Sequence, residues 1–174
     1  MKKFLLALVA MVMVAGVSAQ NWSIGGRVGS GVQVVGQYDF NKKNYLEGRF
    51  GAAWLGGVTA DFTALYNWKI CTMDWTPNGG DWFFDAGVGV NVGGAAHYAY
   101  VGVAGMARLG YNFRKAPLSL SVDYTPVIGP AFSYGGPDYG GNDVGSRAAG
   151  AKKNNVGFRA TGLANVGITC TYHF

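Results

Sequence analysis

Two histidines, His97 and His173, are the first residues to test for catalysis in this chain of 174 residues. A hydrolytic site needs a nucleophile such as serine beside a histidine base, and an acidic group that orients the base. Neither histidine has a serine and an acidic residue at a sequence spacing that would bring the three side chains together. We therefore interpret His97 as a solvated loop residue and His173 as an inward-facing residue at a strand end. The chain is predicted not to be an enzyme.

Two further segments have the composition of ligand sites. The glycine-rich run Gly25–Gly31 lacks the Gly-Lys-Ser/Thr sequence and the following helix of a phosphate-binding loop. Asp138, Asn142 and Asp143 could contact Ca²⁺, but their spacing does not match an EF-hand. We predict no cofactor and no metal site.

Charged side chains form a third candidate set. On the predicted strands they share one face, with five of each sign: Arg27, Arg49, Lys69, Arg108 and Arg159, against Asp39, Glu47, Asp61, Asp85 and Asp123. Opposite charges in a narrow interior should pair, because an unpaired buried ion is costly. We interpret these ten residues as a structural polar network inside the fold, in preference to a transport or catalytic site.

Strands must position these charges, and strict alternation of apolar and polar residues predicts eight of them. The predicted strands are 22–28, 32–40, 45–54, 58–70, 82–92, 101–113, 118–127 and about 156–174. Short turns at Gly29–Gly31, Asn41–Asn44 and Arg114–Pro117 separate several of them, and Pro126 is expected near a strand end. Gly93–Tyr100 and Gly129–Asn155 are predicted loops.

Composition restricts the class of fold. The chain is 49% hydrophobic, 14% aromatic and only 13% charged, with 29 glycines, whereas about a quarter of residues are charged in a typical soluble protein. After residue 20 no apolar run approaches the ~20 residues of a membrane helix. A closed transmembrane barrel satisfies both observations, because every backbone group is paired within the ring.

The first twenty residues have the layout of a secretory signal peptide. Lys2 and Lys3 precede an apolar run, and small residues end at Ala19. We predict cleavage after Ala19, which leaves one domain at 20–174; an uncleaved anchor is the alternative. The formal charge of +5 falls to +3 without the two lysines, which is too small to indicate a nucleic-acid partner.

The last nine residues, Val166–Phe174, alternate strictly and end on an aromatic residue. With the signal peptide and the strands, this segment resembles the small Gram-negative outer-membrane β-barrels of the porin and outer-membrane-protein-X-like type. The resemblance implies an all-β, eight-stranded antiparallel up-and-down transmembrane barrel in the outer membrane. It also implies that the insertion machinery reads Tyr172 and Phe174.

Aromatic residues near the strand ends indicate the orientation, because such residues concentrate at membrane interfaces. The set near the termini is Trp22, Tyr38, Phe40, Trp68, Trp82, Phe84, Tyr111, Phe113, Tyr172 and Phe174. Both termini should therefore be periplasmic. Trp54, Tyr98, Tyr100, Phe132 and Tyr134 are expected near the second interface.

The expected function is that of a non-enzymatic envelope protein in contact with outer-membrane lipid and lipopolysaccharide. The segment 129–155 would be available to an extracellular partner. A narrow pore is the first alternative, because the interior residues include Gly25, Gly87, Gly89, Ser119 and Ser121, which leave room for water. A lipid A-modifying barrel enzyme is the second alternative. Cys71, at a predicted turn, and Cys170, on the outer face, are expected to remain unbridged.

Overall fold

The computed structural model describes residues 21–53, 59–76, 79–95, 98–133, 155–159 and 164–174, with the backbone alone for residues 53, 133 and 155–159. The strands are β1 Trp22–Val28, β2 Gly31–Asp39, β3 Asn44–Ala53, β4 Thr59–Thr76, β5 Gly80–Ala95, β6 Tyr98–Phe113, β7 Leu118–Tyr124, β8 Val127–Ser133, β9 Asn155–Arg159 and β10 Val166–His173. Within these ranges no helix is long and apolar enough to cross a membrane.

Several predictions concern positions outside the described residues. They are the signal segment 1–19 with its cleavage at Ala19, Trp54, His97, Tyr134, and the candidate calcium ligands Asp138, Asn142 and Asp143.

The strands close into a barrel. Successive strands from β1 to β7 pair antiparallel, β10 pairs with β7, and β10 also pairs with β1. Strand β8 continues β7 along β6, so β7 and β8 count as one barrel strand. Strand β9 pairs with β8 as β10 pairs with β7, so β9 and β10 count as another, and the ten segments make eight barrel strands. The predicted eight-stranded antiparallel up-and-down fold is confirmed. We call the end that carries Trp22 and Phe174 the terminal rim, and the other end the opposite rim.

Side chains alternate between the outside of the barrel and its lumen. In β7, Ser119, Ser121 and Asp123 are buried, whereas the leucine, valine and tyrosine residues between them are exposed. Strand β6 reverses the parity, as predicted, and turns even-numbered residues such as Arg108 inward. The period of two residues therefore separates an apolar outer surface from a polar interior.

Two turns form as their sequences predict. Gly29–Gly31 separate Val28 and Val32, the last pair of the β1–β2 ladder, and a backbone hydrogen bond of 2.9 Å runs from the Gly29 nitrogen to the Gly31 carbonyl. In the next turn, Asn41 Oδ1 accepts hydrogen bonds of 2.8 Å from the backbone nitrogens of Lys43 and Asn44. The asparagine side chain therefore stands in for a backbone acceptor.

Strands β4 and β5 are longer at the terminal rim than predicted. Lys69 pairs with Asp85 but Cys71 pairs with Phe84, so Ile70 forms a bulge. The bulge shifts the alternation by one residue, which is why the period-two pattern ended at Ile70. The two strands continue as a hairpin, and Cys71 lies in β4 and not in a turn. Cys71 and Cys170 are free and exposed, as expected.

The two predicted loops are partly strand. Residues 93–95 belong to β5 and 98–100 to β6, while 129–133 belong to β8 and Asn155 begins β9. Pro126 lies between β7 and β8, opposite Gly105, whose nitrogen donates to the Pro126 carbonyl at 2.9 Å. Glycine and proline lower strand propensity, but pairing with β6 continues in one register on both sides of Pro126.

Aromatic rings collect at the terminal rim. Contacts with ring centroids 5.0–6.2 Å apart join Trp22–Tyr38–Phe40–Tyr66–Trp68, Trp75–Trp82–Tyr111–Phe113 and Tyr172–Phe174. Tyr66 and Trp75 are additions to the predicted set. Tyr100 is a correction: it is buried in the lumen, because β6 exposes its odd-numbered residues, and Tyr98 shares its face.

Candidate functional site: the charged lumen

Five charged residues meet in the lumen and form what we call the central ion cluster: Arg27 on β1, Glu47 and Arg49 on β3, Arg108 on β6 and Asp123 on β7. Strand alternation directs them inward, and the β6–β7 register places Arg108 opposite Asp123. None of the five is more than 2% exposed. Their charges are therefore compensated by one another and not by water.

Both carboxylates of the central ion cluster bind more than one arginine. Glu47 is 2.5 Å from Arg49 Nε and accepts bonds of 2.6 and 2.9 Å from the two Nη atoms of Arg108. Asp123 lies 2.8 Å from Arg27 Nε, 3.3 Å from Arg49 Nη1 and 3.9 Å from Arg108 Nη2. Because Arg49 and Arg108 bridge both acids, the cluster connects opposite walls of the barrel.

Neutral groups complete the hydrogen bonding of the cluster. Gln37 Nε2 donates to Glu47 at 2.6 Å, and Thr169 Oγ1 donates to Asp123 at 2.6 Å. Gly167 makes room for the Arg27 guanidinium, since a Cβ atom at Gly167 would lie 2.5 Å from Arg27 Cζ. The absence of a side chain at Gly167 therefore helps to position the arginine.

Asp61 is buried in the same lumen but is held by neutral donors. Its oxygens accept hydrogen bonds of 2.6 Å from Gln33, 2.9 Å from Asn91 and 3.3 Å from Thr63, and a further bond from the Tyr100 hydroxyl. Among the side chains described, no arginine or lysine forms an ion pair with Asp61. Hydroxyl and amide dipoles thus replace a counter-ion at this position.

The other predicted network residues lie elsewhere. Lys69 Nζ and Asp39 Oδ1 are 2.8 Å apart at the terminal rim, where their side chains are 39% and 35% exposed. The side chain of Arg159 lies outside the described part of the structure. Asp85 is 3% exposed and accepts a hydrogen bond of 2.8 Å from the Tyr45 hydroxyl.

A pocket of about 110 Å³ lies in the lumen near the terminal rim, and we call it the vestibule. Its lining combines residues of the Lys69–Asp39 pair with buried groups next to the central ion cluster. The lining residues are Gln37, Asp39, Tyr45, Lys69, Thr72, Phe83, Asp85, Arg108, Asn112, Ser119, Ser121, Thr171 and His173. The vestibule therefore ends at Arg108, where the cluster begins.

The space for water that was predicted beside small lumen residues such as Gly87 is partly filled by neighbouring side chains. A Cβ atom at Gly87 would collide with Asn67 Oδ1, so the Asn67 amide already fills that space. Next to Glu47 in the strand register, Leu65 belongs to a buried apolar cluster with Ala104, Met106 and Val127. Ionic and apolar side chains together fill the middle of the lumen.

His173 makes contacts that the sequence analysis missed. Its Nδ1 is 2.7 Å from Ser23 Oγ, and its Nε2 is hydrogen-bonded to Ser119 Oγ. Both neighbours come from adjacent strands, 150 and 54 residues away in the chain, so only the barrel register could reveal them. Because serine hydroxyls occupy both ring nitrogens, no carboxylate can orient this histidine as a catalytic base in the arrangement seen.

The chemistry available in the lumen is mainly electrostatic. Within the ranges that the structure describes, no three His, Cys, Asp or Glu side chains are grouped as a metal site would require. The described ionic groups cross-link β1, β3, β6 and β7. Tyr172 and Phe174, the predicted insertion signal, lie on the outside with their rings 5.1 Å apart.

Comparisons of the chain with protein-family models, with curated proteins and with solved structures found no match. The class of protein defined by the fold and the site is an eight-stranded, closed antiparallel β-barrel with charged side chains buried in its lumen.

Proposed function

We propose that the chain is a non-enzymatic outer-membrane β-barrel protein with a structural and surface role in a Gram-negative envelope. One observation carries this proposal. Large apolar side chains such as Phe50 (63% exposed), Val90 (53%) and Val103 (67%) cover the outside of the barrel. No charged residue occupies an outward position in β1, β2, β3, β6, β7 or β10, in β4 from Thr59 to Lys69, or in β5 from Asp85 to Ala95. Buried arginines and carboxylates occupy the lumen instead.

An apolar exterior with a charged interior is the arrangement expected of a protein surrounded by lipid. An outward charge costs about 2–4 kcal/mol at the midplane of a bilayer, whereas a charged outer surface would favour solubility in water. The aromatic residues at the terminal rim have the position and type of an interfacial girdle. In this proposal outer-membrane lipid and lipopolysaccharide contact the outer face, and the insertion machinery reads Tyr172 and Phe174.

The closed lumen supports a structural role over a wide pore. Eight-stranded barrels have interiors that side chains can fill, and the central ion cluster crosses the lumen between β1, β3, β6 and β7. The two termini would face the periplasm. The segment 129–155, most of which lies outside the described residues, is proposed as the part available to an extracellular partner.

Fractionation and gel mobility test the location and the fold. We expect the exported protein in the outer-membrane fraction, and we expect its mobility in detergent gels to change on boiling, as for a stable barrel. Recovery in the soluble periplasmic fraction, without a change of mobility on boiling, would contradict the proposal.

Planar-bilayer recording tests the closed lumen. Purified protein should give no stable conductance steps, with a large porin as the positive control. Regular single-channel steps would favour the narrow-pore alternative.

For the enzymatic alternative, lipid A composition should be the same in cells that express the wild-type protein and in cells that express the variant H97A/H173A. A change in lipid A that depends on either histidine would support enzymatic activity.

A further inference from the structure

Asp85 is a buried carboxylate with one unsatisfied oxygen. It is 3% exposed, lines the vestibule, and receives a hydrogen bond of 2.8 Å on Oδ2 from the Tyr45 hydroxyl. Its Oδ1 has no hydrogen-bond partner among the described residues. An ionised carboxylate in such a place is costly unless a proton or a cation compensates it.

The basic residues nearest to Asp85 in the strand register are engaged elsewhere. Lys69 on β4 and Arg108 on β6 flank Asp85 directly. The Lys69 ammonium instead pairs with Asp39 at 2.8 Å, and the Arg108 guanidinium pairs with Glu47 at 2.6 Å. In the described part of the chain, Asp85 therefore has no ion-pair partner.

The charges of the buried lumen also do not balance. The buried ionic side chains of the described residues are three arginines, Arg27, Arg49 and Arg108, against four acids, Glu47, Asp61, Asp85 and Asp123. Glu47 and Asp123 bind the arginines, and four neutral donors surround Asp61. Asp85 is therefore the buried acid that has neither an arginine partner nor a hydrogen-bond donor on each oxygen.

We propose that the vestibule binds a monovalent cation against Asp85 Oδ1. Thr72, Ser121 and Thr171 line the same pocket, and a hydroxyl group is a suitable oxygen ligand. Gln37 uses its amide nitrogen on Glu47, which leaves its carbonyl oxygen as the group able to contact an ion. A pocket of about 110 Å³ has room for an ion with a few waters.

The single unpaired carboxylate favours a monovalent ion. Calcium sites use six to eight oxygen ligands, commonly with several carboxylates, and no cluster of three acidic or other metal-ligating side chains occurs in the described ranges. The inference stands apart from the proposed envelope function, because it concerns only the lumen and can be tested in detergent micelles.

The test is a nuclear magnetic resonance titration of the folded protein, residues 20–174, in detergent micelles. Potassium chloride should give saturable shifts of the Tyr45 and Asp85 amides and of the Asp85 carboxyl carbon. N-methyl-D-glucamine chloride at equal ionic strength should give none, because an ammonium on a six-carbon polyol cannot replace a metal ion among several oxygen ligands. Equal responses to the two salts would overturn the proposal, and so would an Asp85 carboxyl carbon with the shift of a protonated acid throughout.

Two variants sharpen the titration. Asp85→Asn removes the excess charge and should abolish the saturable potassium response while the barrel still folds. Lys69→Met removes a competing ammonium beside Asp85 and should strengthen the response. A potassium response that survives in D85N, or that disappears in K69M, would place the ion elsewhere and overturn the assignment to Asp85.

Discussion

The outer surface and the lumen of this barrel are built from the same strands but follow different rules. Outward residues such as Val90 and Leu120 need only be apolar, because a uniform surrounding makes one exposed position equivalent to the next. Inward residues such as Glu47 depend on particular partners, among them Arg49 and Arg108. The outer surface is defined by residue type, and the lumen is defined by geometry.

This difference determines where a single substitution should be costly. In the lumen, removing one charge leaves its partner buried and unpaired. On the outer surface, adding one charge exposes it to the surrounding solvent, and the cost depends on whether that solvent is lipid or water. The following predictions test each side of the comparison.

The largest effect is expected for Glu47→Gln. The substitution keeps the shape of the side chain but leaves Arg49 and Arg108 with less counter-charge in a site that is at most 2% exposed. Breaking a buried ion pair costs about 3–5 kcal/mol, so the free energy of unfolding in urea, measured in phospholipid vesicles, should fall by about that amount. A loss below about 1 kcal/mol, the range of exposed pairs, would contradict the burial of the cluster.

A charge on the outer surface is the next strongest perturbation. Val90→Arg should lower the free energy of unfolding in lipid vesicles by about 2–4 kcal/mol, because Val90 is an outward residue in the middle of β5. Leu118→Arg near the terminal rim is the matched control and should cost about 0–1 kcal/mol. Equal costs at both positions would argue against a lipid surrounding.

A smaller effect is expected when a methyl group is added beneath Arg27. Gly167→Ala places a Cβ where the Arg27 guanidinium lies, and the arginine must then move away from Asp123, its partner at 2.8 Å. Overpacking of this kind costs about 1–3 kcal/mol, measurable by chemical unfolding. The control is Gly36→Ala, since nothing lies within 4 Å of a Cβ at Gly36. Equal destabilisation by the two variants would contradict a role for Gly167 in positioning Arg27.

The sequence was sufficient to predict the outer surface because its rule is local. Period-two alternation identifies the face of each strand, and the predicted parity held in β1 to β3, in β4 as far as Lys69, and in β5, β6, β7 and β10. The exceptions have local causes. The bulge at Ile70 shifted the pattern, and Pro126 interrupted a strand that pairing with β6 continues.

The contacts in the lumen could not be predicted in the same way. Arg27 and Asp123 are 96 residues apart, and the sequence does not state how far the strands are displaced against one another around the ring. The inward direction of Asp61 and Asp85 followed from alternation, but their lack of arginine partners did not. The contacts of His173 with two serines depend on the same register.

The smallest predicted effect uses the same chemical change as the largest. Asp39→Asn, like Glu47→Gln, replaces an acid by its amide next to a basic group, here the Lys69 ammonium at 2.8 Å. Because these two side chains are 39% and 35% exposed, water and salt screen the pair, and the free energy of unfolding should fall by less than about 1 kcal/mol. The loss should shrink further at high salt, unlike that of E47Q. If D39N were as destabilising as E47Q in the same urea titration, depth within the lumen would not control the strength of its ion pairs.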